Sequence, residues 1–164
     1  MKSINELKKE NRELKKELTR LQKIAYSDLK FNCKNRNYLE CERKSLDKKE
    51  IIVIMNDLNG LKRINDNSGH DSGDSYIRKF IIMAKNYFDN LEIKNQIVRL
   101  GGDEFLILIF DRFELFNIEY YTKILDNIAS CGSIYKPKET RLYFALKKAD
   151  NILYRNKQDF YKNK

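Results

Sequence analysis

The sequence has no apolar run approaching the roughly 20 residues that a membrane-spanning helix needs. Its longest candidate, Ile51-Ile52-Val53-Ile54-Met55, has the length of a buried strand, so no membrane partner is expected. The first residues are rich in Lys and Glu rather than a charged tip followed by an apolar stretch. No secretory signal is therefore expected, and the chain reads as soluble and cytoplasmic. Cysteine is scarce. Cys33, Cys41 and Cys131 are odd in number and lack CxxC spacing, which argues against a zinc or redox site and suits reduced thiols. The only histidine, His70, reads as a structural hydrogen-bonding residue rather than a catalyst, and the only proline, Pro137, breaks the chain before a last helix.

With 41% hydrophobic residues over 164 positions, the chain can build one compact domain plus a short appendage. The formal charge of +9 fits a nucleic acid, an anionic membrane or a phosphate-rich small substrate, and also plain compositional drift. Lysines are spread along the whole length, so charge alone does not choose among these.

The appendage is a heptad helix over residues 1–25. Ile4, Leu7, Asn11, Leu14, Leu18, Leu21 and Ala25 alternate at spacings of three and four, as the a and d positions of a coiled coil require. Leu7, Leu14 and Leu21 take d. Asn11, at a, pairs best with its own copy in a parallel two-stranded coil, and Glu10 at g would face Lys15 at e of a partner chain. The expectation is a parallel homodimer; the competing reading is an amphipathic helix packed on its own domain. Roughly three heptads are marginal alone, so the globular part must help hold such a dimer. A DNA-binding zipper needs a basic helix ahead of its heptads. Here the heptads come first, and no DNA partner is expected.

Residues 26–164 form the second unit. Helical pattern is expected over residues 35–46, a buried strand over 51–57, and a helix starting near Asp74 after a turn marked by Gly69 and Gly73. Residues 96–100 and 104–110 suit a hairpin closed by Gly101-Gly102. A helix over 113–129, a short strand over 132–135 and a helix over 140–157 complete the pattern. This order predicts an α/β (α+β) fold with a mixed, mainly antiparallel central sheet flanked by helices, which we expect on one face.

Two strand-associated carboxylates carry the chemistry. Asp57 ends the first core strand, and Asp103-Glu104 precedes the next. If those strands are neighbours, the carboxylates converge at one sheet edge. There, Mg²⁺ could take one or two carboxylates together with substrate phosphates. Each element also has a plainer reading: Asp57 as a helix N-cap, Gly-Gly as a mere turn, Asn65-Asp66 as turn chemistry. Residues alone lead as far as a Mg²⁺-nucleotide site.

The stretch from Asp57 to Asp74, followed by Arg99-Leu100-Gly101-Gly102-Asp103-Glu104-Phe105, resembles the GGDEF family of diguanylate cyclases. Asp28, Asn35 and Arg36 match its opening signature, and Ala149-Asp150, Tyr154 and Lys157 its closing one. The resemblance implies a nucleotidyl-cyclase, polymerase-palm-like fold and a nucleotidyltransferase that condenses two GTP into cyclic di-GMP across a dimer. It also implies Asp57, Asp103 and the Leu58 carbonyl as ligands of Mg²⁺ (or Mn²⁺). Asn65 and Asp74 would read guanine, Lys62 and Lys157 would contact phosphate, and Gly101 and Gly102 would line the guanosine site. Glu104 would position or deprotonate the 3′-hydroxyl.

Several positions depart from the family pattern. Asn59 stands where the family has a second Asp, and Lys30-Phe31-Asn32-Cys33 replaces Leu-Thr-Gly-Leu. The segment between 105 and 130 is short, and Tyr161 stands for an arginine. Glu92 and Asn95 replace the Arg and Asp of the product-inhibition site, so no feedback inhibition is expected there. These departures keep an alternative open, a weak or silent domain that binds GTP or a dinucleotide as a regulator.

Overall fold

The computed structural model describes residues 2–125 and 127–162. Its elements are α1 (Ile4–Tyr26), β1 (Ser27–Asp28), β2 (Cys33–Asn35), α2 (Arg36–Asp47), β3 (Ile51–Leu58) and α3 (Leu61–Asn90). There follow β4 (Asn95–Gly101), β5 (Glu104–Ile109), α4 (Ile118–Ile124), β6 (Ala129–Lys136) and α5 (Leu142–Lys162). The strands form one sheet in the order β1-β2-β4-β5-β3-β6. All neighbours are antiparallel except β2 and β4, so the sheet is mixed, as the sequence predicts.

Strand β3 lies inside the sheet and is covered on both faces, which is why its apolar residues run continuously instead of alternating. Alternate side chains still separate into two cores. Ile52, Ile54 and Leu58 meet Ile77, Phe80, Ile81 and Phe88 of α3 and Tyr121 of α4. Ile51, Val53 and Met55 meet Leu39 and Leu46 of α2 and Leu142, Ala145, Ala149 and Leu153 of α5. Helices therefore cover both faces, not the single face expected. Phe80, Phe88 and Phe105 are fully buried, each stabilising the fold by roughly 1.5–3 kcal/mol.

Three other expectations are corrected. Residues 113–129 are not one helix: a 3₁₀ turn at Phe113–Leu115 and the short α4 stand there, and Ala129 already belongs to β6. An aromatic cluster of Tyr87, Phe88, Phe116 and Tyr121 holds this segment down. The strand expected over 132–135 is eight residues long. Finally, the helix around Asp74 begins at Leu61 and is interrupted only at Gly69, where φ is 79° and ψ 167°.

The far end of the sheet is pinned by Lys136. Fully buried, it donates to the carbonyls of Asp47, Lys49 and Pro137, a cation set at the C-terminal end of α2. Helix α1 contributes nothing to either core. None of its residues is buried, although a Ser3–Glu6 capping box secures its start. Its apolar stripe of Leu7, Leu14, Leu18 and Leu21 lies in the open. No helix among the described residues is long and apolar enough to cross a membrane.

Candidate functional site

Pairing register brings the acidic residues together. Asp57 and Glu104 are directly opposed on β3 and β5. Residues directly opposed in a sheet project to the same face, here the face covered by α5. The Leu58 amide donates to the Asp103 carbonyl at 3.0 Å, tying the hairpin turn to the end of β3. In that turn Gly102 has φ 46°, a left-handed conformation glycine adopts without strain. Open space surrounds both Gly101 and Gly102. Asp57 is not a helix N-cap, since Gly60 precedes the first turn of α3.

Asp57 faces α5, and from that helix the Lys157 ammonium comes within 2.6 Å of its Oδ1. Apart from this close ion pair, the buried Oδ1 meets no well-directed hydrogen-bond donor among the described residues. Burial pushes the Asp57 carboxyl above its ordinary range, Lys157 pulls it back, and the charge of Asp103 pushes it up again. A half-buried carboxylate held by one lysine, with a second carboxylate within electrostatic reach, is a place that favours positive charge. The donor set suits a hard divalent ion, which takes carboxylate and carbonyl oxygens and completes its shell with phosphate and water. Among the described residues no cluster of three His, Cys, Asp or Glu could hold a metal by itself, so substrate oxygens would have to complete the shell.

The expected base readers also lie together, one on each half of α3. A Cβ on Gly73 would stand 1.9 Å from Asn65 Oδ1. Only glycine lets the Asn65 side chain lie across the helix, one residue from Asp74. Asp74 is not free. The Lys30 ammonium is paired with its Oδ2, and this contact is the main reason its carboxyl sits below the ordinary range. Lys62 lines a cavity of about 550 Å³ together with Gly60, Arg63 and Tyr161, beside the turn after β3.

Sequence reasoning gave no role to two contact sets found here. Arg99 donates from Nη1 to Asp28 Oδ2 at 3.0 Å and from Nε and Nη2 to the Gly102 carbonyl at 3.2 and 2.9 Å. Its guanidinium also lies 4.5 Å from the Phe31 ring centroid. Asn59 is the second. Its Nδ2 donates to the Asn127 carbonyl at 3.0 Å, and its Oδ1 accepts from Ser130 at 2.9 Å. An Asp, the family's residue at this position, could not donate to that carbonyl. Asn59→Asp is expected to cost roughly 1–3 kcal/mol, visible as a lowered urea midpoint. An unchanged midpoint would show the tie to be incidental.

Residues 30–115 match the family described as diguanylate cyclase, GGDEF domain. The chain belongs to the GGDEF family. Over 64 residues it is 34% identical to the diguanylate cyclase DosC of Escherichia coli, a match covering 39% of this chain and 13% of DosC. Over 97 residues it is 31% identical to an uncharacterized membrane protein of Staphylococcus epidermidis, covering 58% of this chain and 25% of that one. The chain thus spans a quarter or less of these curated relatives. In fold, this GGDEF domain and its helix are similar to the coiled coil and GGDEF domain of DgcB from Caulobacter crescentus, solved in complex with c-di-GMP. That likeness has a TM-score of 0.73 at 18% identity and covers 95% of this chain and 93% of the other. Glu92, which stands where the family's inhibition site has an arginine, is an anion paired with Arg112 at 2.9 Å.

Proposed function

We propose that this GGDEF domain is a diguanylate cyclase that condenses two GTP into one cyclic di-GMP and two pyrophosphates. The observation that carries this reading is the direct opposition of Asp57 and Glu104, with Asp103 tied to the end of the same strand. Asp57, Asp103 and the Leu58 carbonyl would hold Mg²⁺ or Mn²⁺. Bound there, the ion supplies Lewis-acid charge at the reacting phosphate and lowers the pKa of the attacking hydroxyl.

The chain's own residues do the rest by positioning and charge. Asn65 and Asp74 hold the guanine edge, and a site built on polar groups penalises a base that leaves them unpaired. Lys62 neutralises the triphosphate. Lys157 joins it once a divalent ion has taken over its partner Asp57. Glu104 is exposed, as suits a carboxylate that must orient or deprotonate a 3′-hydroxyl. Each hydroxyl attacks the α-phosphorus of the nucleotide on the other subunit, so the reaction needs two copies face to face. The coil would supply them by raising the effective concentration of one half-site near the other.

Purified protein incubated with GTP and Mg²⁺, with products separated by chromatography, tests the reading. Cyclic di-GMP should accumulate. Nucleotide binding without turnover would favour the silent regulator instead. The dimer has its own test. Asn11→Leu, placing an apolar residue on the exposed stripe, should convert a dimer into tighter or higher-order species by light scattering. A monomer before and after the substitution would retire the zipper.

A further inference from the structure

Lys30 stands where the family signature carries an apolar residue, yet its backbone is fixed. The amides of Lys30 and Phe31 donate to Asp28 Oδ1 at 3.1 and 3.2 Å, and the Phe31 ring is buried in the core. From this anchored loop the Lys30 side chain, 56% exposed, reaches Asp74, whose own side chain is only 17% exposed. One oxygen of a sheltered carboxylate thus touches an ammonium that is itself open to an incoming ligand.

Guanine presents three groups in a row on its Watson–Crick edge: the O6 acceptor, the N1–H donor and the exocyclic amine. A carboxylate satisfies the two donors and leaves O6 in need of one. Lysine has three donors, of which Asp74 occupies one. Adenine reverses the pattern, presenting an amino group where guanine has O6. Building on the GTP reading above, we propose that Lys30 is a specificity-determining residue that donates to guanine O6 while Asp74 accepts from N1–H and the amine. The ion pair is then one recognition unit, complementary to guanine and repelled by the amino group of adenine. Each half leaves the other unsatisfied when the wrong base enters.

Equilibrium binding of GTP, inosine triphosphate and ATP to the full chain and to Lys30→Met tests this. Inosine keeps O6 and N1–H but lacks the amine. The variant should bind GTP and inosine triphosphate about tenfold more weakly, by the same factor for both, with ATP affinity unchanged or raised. Lys30→Arg, which keeps a cationic donor, should restore part of the loss, and matched melting temperatures show that the loop has not unfolded. Equal or tighter GTP binding by Lys30→Met would mean that Lys30 merely competes with the base, and the proposal fails. An equal loss for all three nucleotides would also overturn it, since that is attraction to phosphate. If the unaltered chain binds none of them, the nucleotide reading itself falls and takes this inference with it.

Discussion

Asp103→Ala should lower cyclic di-GMP formation by roughly a thousandfold, the factor that several kcal/mol of lost charge stabilisation at the reacting phosphate implies. The fold should not suffer. Asp103 is half-buried in the turn between β4 and β5, and its side chain makes no hydrogen bond or ion pair among the described residues. Its charge pushes the Asp57 carboxyl up, so its removal relieves repulsion. Product quantified by chromatography, alongside a thermal melt, separates the two effects. A variant with an unchanged melting temperature and full turnover would remove Asp103 from the chemistry. A variant that fails to fold would show that the turn needs the carboxylate for structure.

The second large effect belongs to a residue that touches no substrate. Arg99 forks between Asp28 and the Gly102 carbonyl and lies on Phe31, with only 20% of its side chain exposed. It therefore clamps the glycine turn to the segment where the chain leaves α1. Without it the turn keeps its strand pairing but loses its tip restraint, and displacements of about 1 Å cost on the order of a hundredfold in rate. Arg99→Ala should lower kcat/KM for GTP by about that factor. It should also cost roughly 1.5–3 kcal/mol in stability through its charge-assisted hydrogen bonds. Arg99→Lys should not rescue it, because an ammonium cannot reproduce a planar fork to two acceptors. Asp28→Asn combined with Arg99→Ala should be much less than additive. Full additivity, or near-normal turnover of the single variant, would reduce the clamp to a surface contact.

Much of this was legible in the residues. The continuous apolar run from Ile51 to Met55 announces a buried strand, and Gly101-Gly102 between two apolar runs announces a hairpin. Asp57 and Asp103-Glu104 converge only if the two strands are neighbours, and the β3–β5 pairing meets that condition. What could not be read was whatever depends on partners distant in sequence. That Lys30 meets Asp74 and Lys157 meets Asp57 follows from which face of the sheet each helix covers. The two-core arrangement is not written in any single periodicity.

The segment after β5 misled for a more local reason. Ile118, Tyr121 and Leu125 recur at helical spacing, so a long helix is the natural reading. Its boundaries are left-handed Arg112 and Asn127, at φ 49° and 62°. Neither is a glycine, and no punctuation marks them in the sequence. Asn59 was visible as a departure from the family, but its meaning was not. Only its bond to the Asn127 carbonyl explains why an amide serves where an acid usually stands.

Helix α1 is about 35 Å long, yet it gives no side chain to either core. Truncating or exchanging it ahead of Ala25 should cost the globular unit little, since the contacts with that unit come from its last residues, the Ala25 carbonyl and the half-buried Tyr26. Such a helix works as a detachable handle, free to be regrafted in evolution or by an experimenter onto other assembly elements. The sole requirement is that the graft end in register with Ser27–Asp28, where the lever meets the globular body.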